Sequence, residues 1–172
     1  MSIKLQVLPL IGSVLFSGSV FANNSDSNSQ KEYQLKYNDK GCSEINVTFS
    51  LEASFEPDGA ATLLGPTKGS GFDGGNLYLY TKADHIKRKV DGLAPDSTIS
   101  ALAIGRYTFP SGDQLNIEVI NISDLAQRVA VGIQTIKGGT GEFENATGVF
   151  RGTGLLRPTG RDSEVFGTVC LG

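Results

Sequence analysis

The sequence predicts an all-β fold: one antiparallel barrel of eight strands, within a range of eight to ten, with a β-sandwich as the alternative architecture. Three observations carry this. Side chains alternate with a period of two, most clearly from Ile45 to Glu56, where Ile45, Val47, Phe49, Leu51, Ala53 and Phe55 share one face. Asn46, Thr48, Ser50, Glu52, Ser54 and Glu56 share the other, the pattern of a half-buried strand. The apolar runs recur at short, even spacing and are bounded by glycine or proline. The longest helix-favouring stretch, SDLAQR at 123–128, supports a single turn.

Taken in chain order, residues 1–22 read as a secretory signal peptide. Lys4 precedes an apolar run from Leu5 to Ala22, and Val20 and Ala22 set small residues at the −3 and −1 positions of a cleavage site before Asn23. Pro9, Gly12, Ser13, Ser17 and Gly18 interrupt the run and argue against an uncleaved anchor. Residues 23–30, NNSDSNSQ, offer nothing to bury and read as a flexible leader. Residues 31–172 then form a single barrel domain. Tyr33, Leu35 and Tyr37 begin an alternation, and the Ile45 strand follows it. Further strands are expected at Ala60–Leu64, Leu77–Lys82, Ile86–Val90, Ile99–Phe109, Leu115–Ile122, Val129–Ile136, Phe143–Arg151 and Ser163–Val169. The segments EPDGA, GPTKGSGFDGG, DGLAPDS, PSGDQ, KGGTGE and RPTGRD read as the turns between them.

Composition narrows the function classes. The chain has 172 residues, 39% of them hydrophobic, enough for one core. A net charge of −3 argues against a general nucleic-acid binder. The 22 glycines show no G-X-Y period, so the chain is not collagenous. No segment after Ala22 is apolar enough to span a bilayer, which together with the signal segment predicts a secreted or periplasmic protein. The only two cysteines, Cys42 and Cys170, are expected to pair in such an oxidising compartment, with free thiols as the alternative. With one histidine they cannot build an all-Cys/His zinc site. The aspartates of DGLAPDS and FDGG lack calcium-loop spacing, and the glycines at 69–75 lack a βαβ context for a nucleotide, so no metal or cofactor is expected.

Residues 136–154 read IKGGTGEFENATGVFRGTG. Gly138, Gly139 and Gly141 suit a tight turn, Phe143 and Ala146 are apolar anchors, and Gly148 permits sharp coiling of the following strand. This G-G-[ST]-G-x-F-x-x-A-x-G stretch resembles that of the allene oxide cyclase and dirigent-protein superfamily, and of small secreted bacterial β-proteins. The resemblance covers about 40 residues and implies an eight-stranded antiparallel barrel; it marks a structural turn and transfers no catalytic residue.

The chemistry-bearing candidates are few. His85 is the only histidine, and without an oriented partner it reads as an exposed residue. Lys82, Lys87, Arg88 and Lys89 could hold an anion, but read first as edge protection of a strand. Tyr78 and Tyr80 share a strand face, and Arg106 and Tyr107 lie near the end of another strand. Turned inward, they would line a cavity for an apolar ligand with a polar head; otherwise they fill a core or a subunit contact. Ala101, Leu102, Ala103 and Ile104 make one strand apolar on both faces, which suggests a homo-oligomer contact. The favoured expectation is a barrel that binds a small hydrophobic molecule. The alternatives are a cofactor-free cyclase or isomerase, as the resemblance implies, and a structural protein with a filled barrel.

Overall fold

The alternation beginning at Ile45 forms the longest strand of the computed structural model, which describes residues 35–88 and 97–172. The expected signal peptide, the polar leader, Tyr33, Lys89 and residues 91–96 of the DGLAPDS turn lie outside the described residues. β1 (Cys42–Phe55) buries Ile45, Val47, Phe49 and Leu51 and exposes the polar residues between them. The other strands are β2 (Ala61–Lys68), β3 (Asn76–Thr81), β4 (Ile86–Arg88), β5 (Thr98–Thr108), β6 (Gln114–Asp124), β7 (Val129–Gly139), β8 (Thr147–Arg157) and β9 (Gly160–Cys170).

Eight of these strands close an antiparallel barrel in the order β3-β2-β1-β9-β8-β7-β6-β5, with β5 pairing back onto β3. Closure excludes the sandwich. β4 is an extra strand on the same edge of β5: β3 pairs as far as Tyr80↔Ile104, a 3-10 turn at Ala83–His85 steps the chain sideways, and β4 continues at Ile86↔Ala101. Cys42 and Cys170 stand directly opposite on β1 and β9 and form a disulfide.

Several expected boundaries move. Leu35 and Tyr37 pack against the core, but residues 35–38 form no strand. β2 runs on through Gly65–Lys68, inside a segment expected to turn. Gly65 lies so close to β1 that a Cβ would collide with the Ser50 carbonyl oxygen, so glycine here permits strand contact and does not break the strand. Phe143 does not open β8; it ends a 3-10 turn at Gly141–Phe143, and β8 starts at Thr147. Residues 125–128 make a hairpin turn in place of a helical turn. Asp124 Oδ1 there accepts from the Ala126 and Gln127 amides, the local bonding by which aspartate competes with helix. RPTGRD shrinks to Pro158 and Thr159 between β8 and β9.

The core fills one end of the barrel. Phe72, Tyr107, Phe109, Phe143 and Phe150 interlock there, with Phe109 stacked on Phe143 at 4.5 Å and Phe72 edge-on to Tyr107 at 5.0 Å. The 136–154 segment closes this end. Gly138, at φ +75°, sits in the register shift that β7 makes against β6 between Leu115 and Ile117, and its amide donates to the Ala146 carbonyl at 3.0 Å. Thr140 bonds Gln114 in both directions, its amide to the Gln114 carbonyl at 2.8 Å and its Oγ1 from the Gln114 amide at 2.9 Å. The turn thereby presses Phe143 and Ala146 into the barrel, both buried.

Candidate functional site

The opposite end of the barrel is open. A cavity of about 440 Å³ enters it between the start of β2, β5 and β9 and the end of β1, β6 and β8. Its walls are apolar and partly small: Ala53, Leu63, Ile99, Ala101 and Leu156 line it, and Phe55, 73% exposed, stands at the rim. The same alternation that packs Val47 and Leu51 at depth therefore delivers Ala53 and Phe55 to the mouth. Among the described residues that line the cavity, the ionisable side chains are Arg128, Arg157 and Arg161, with no carboxylate.

Arg161 is the deepest of the three. It is the second residue of β9 and shares an inward face with Ser163, Val165 and Val169, leaving it 8% exposed. It also lines a void of about 10 Å³ below the cavity, bounded by Phe49, Val119, Gln134 and Val165. Gly132, Gly152 and Gly154 edge that void, so β7 and β8 give up side-chain volume where the guanidinium sits. Arg161 Nη1 donates to Asn121 Oδ1 at 3.0 Å, and Asn121 Nδ2 donates to Ser123 Oγ at 2.8 Å. The guanidinium lies 5.8 Å from the centre of the Phe49 ring. Its Nε is buried without a hydrogen-bond partner. Burial holds the pKa of Arg161 below the usual arginine value, with nearby Tyr107 acting the other way, yet an arginine stays charged.

Beside Arg161, the Tyr107 hydroxyl donates to Gln134 Oε1 at 2.7 Å. Burial raises the Tyr107 phenol well above its usual pKa; the Gln134 bond and Arg161 oppose that rise. The polar groups thus form one layer across the barrel, apolar packing below it and an apolar mouth above.

Arg157 shows what a paired arginine looks like in this chain. It stands at the cavity rim at the end of β8 and turns its guanidinium to the outer face, with Nη1 2.8 Å from Glu52 Oε1 and Nε 3.2 Å from Asp162 Oδ1, the latter too poorly aligned to count as a hydrogen bond.

Of the four residues singled out for a cavity, the structure turns only Tyr107 inward. Tyr78 and Tyr80 lie on the outer face of β3, because Leu77, Leu79 and Thr81 take the inward positions. Arg106 is exposed on β5 and stacks over the Tyr78 ring at 5.5 Å. His85 is exposed, as are Lys82 and Lys87, while the Arg88 backbone continues β4. Leu102 and Ile104 point outward and are exposed; Leu102 begins a row with Ile120 and Ile133 on the adjoining strands.

Arg161, Asn121 and Ser123 were not anticipated as site residues. The signal existed: Arg161 keeps the parity of Val165 and Val169, but a charge beside Pro and Gly reads as turn. No known protein family, curated protein or solved structure matches the chain.

Proposed function

We propose that this protein is an exported barrel that binds a small hydrophobic molecule in the cavity at its open end. The observation that carries the reading is the asymmetry of the interior: aromatic side chains fill one half, and an apolar cavity of about 440 Å³ occupies the other. A cavity of that size with apolar walls and a few convergent polar groups is the usual form of a small-molecule site. Export rests on the Leu5–Ala22 run and agrees with the Cys42–Cys170 disulfide, since such bonds persist in oxidising compartments. Membership of the allene oxide cyclase and dirigent superfamily rests on the Gly138–Gly148 segment and fits the closed barrel of eight strands plus one.

Native mass spectrometry of the chain purified from its producer's exported fraction tests the reading. The expected result is a chain beginning at Asn23 with a bound mass of a few hundred daltons that leaves on denaturation. A bare chain that also takes up no medium-chain alcohol would overturn it. The cyclase or isomerase alternative uses the same cavity and differs in turnover, since the ligand would return as an isomer of equal mass. The exposed Leu102–Ile120–Ile133 row supports self-association; a monomeric mass by light scattering at all concentrations removes that part.

A further inference from the structure

We infer that the ligand of this cavity is a medium-chain carboxylate that enters head first and sets its carboxylate against Arg161. The inference rests on the cavity being a binding site and adds the charge and orientation of what binds. A buried cation without a counter-charge is costly in a fold, so it asks for an anion from outside. Arg161 is 8% exposed, and both its hydrogen-bond partner and the ring it faces are neutral: the Asn121 amide and Phe49. The acids adjoining these residues point elsewhere: Asp162, next to Arg161, meets Ser50 and Arg157 on the outer face, Glu164 is exposed on that same face, and Asp124, next to Ser123, bonds Ser97 and the following turn.

The guanidinium can therefore offer donors to a carboxylate, for which its planar fork is suited. Nε has no hydrogen-bond partner. Ser123 supplies a second donor: its oxygen accepts from Asn121, which leaves its own proton to give. Both side chains line the cavity, whose walls toward the rim, Leu63, Ile99 and Leu156 among them, are apolar and suit a hydrocarbon tail. A ligand entering tail first would bury hydrocarbon against the polar layer and leave Arg161 uncompensated.

The test is calorimetric titration of the full chain with sodium decanoate, decan-1-ol, decyl phosphate and decyltrimethylammonium. Decanoate is expected to bind about ten- to a hundred-fold more tightly than the alcohol, the scale of a charged hydrogen-bonded contact. The ammonium should bind more weakly than either. Arg161→Gln should abolish the preference, so that decanoate and the alcohol bind alike. Asn121→Asp, which supplies an internal carboxylate beside Nη1, should do the same.

Equal binding of decanoate and decanol to the unmodified chain would overturn the inference while keeping the cavity reading. A preference for decyl phosphate would overturn the carboxylate assignment. Binding of none of the four would overturn the cavity reading itself. The ligand series needs no variant, so the inference stays testable even where Arg161→Gln does not fold.

Discussion

The two ends of this barrel are built from the same strands and differ in almost every physical respect. At one end five aromatic rings meet within a closed turn and the disulfide ties β1 to β9. At the other, alanines and small aliphatics surround open space above an unpaired arginine. The first end resembles a protein interior at full packing density; the second departs from it where a ligand would sit. Stability should therefore concentrate at the closed end and tolerance of change at the open one.

Substitutions can break or sharpen that contrast. The largest effect is expected from Cys42→Ser with Cys170→Ser, which reopens a loop spanning 128 residues; the chain-entropy model gives a loss of about 4–5 kcal/mol. Urea unfolding measures it, and thiol labelling of denatured, unreduced native protein should find no free thiol. Phe143→Ala is next, at about 3–4 kcal/mol for a large ring removed from a filled site. A loss below about 1 kcal/mol would mean that the closed end is slack and the contrast false.

Arg161→Met should act with the opposite sign. Exchanging an unpaired buried charge for an apolar side chain of similar length should raise unliganded stability by about 1–2 kcal/mol. A loss like that of Phe143→Ala would make Arg161 a structural residue. Tyr78→Ala, on the outer face of β3, removes the stacking of Arg106 and the cross-strand pairing with Leu64 and should cost about 1 kcal/mol. Decanoate affinity should stay unchanged.

Acid should separate the ends more gently. At the open end, hydrogen bonds from Ser97 and the Gln127 and Ala126 amides hold the Asp124 carboxyl below its ordinary pKa. Its contribution is present above the ordinary carboxylate range and is lost as pH falls through the lowered value. At the closed end, desolvation and nearby Asp113 hold Glu142 above its ordinary pKa, against the Tyr37 contact. Ionised Glu142 is therefore less favourable in the fold, and stability rises as pH falls through its raised value. Acidification should first firm the closed-end turn and then loosen the open-end one. In unfolding experiments across acid pH, Glu142→Gln should flatten the first effect and Asp124→Asn the second.

Most of the barrel was legible because β1 states its own faces: in Ile45–Leu51 the inner positions are large and apolar and the outer ones polar. β3 does not. NLYLYT alternates two apolar sets, and a period of two identifies the sets without saying which faces in. Register decides that, through Leu77↔Tyr107 on β5 and Gly65↔Leu77 on β2, and register is a long-range property. Arg161 escaped for another reason. Composition ranks arginine among surface residues, and only extension of the β9 parity by one step past Ser163 places it inside. The GGTG segment was readable as a turn, but its role as a plug depends on Phe109, far earlier in the chain, meeting Phe143.

The Cys42–Cys170 bond also makes the chain from residue 42 to residue 170 a covalent hoop. A single cut in any hairpin, at Pro158–Thr159 or at Ser111–Gly112, leaves one piece that is heavier by a water. No fragment is shed until a reductant or a second cut arrives. A barrel of this build can be nicked by a protease in a turn at either end and keep both its walls.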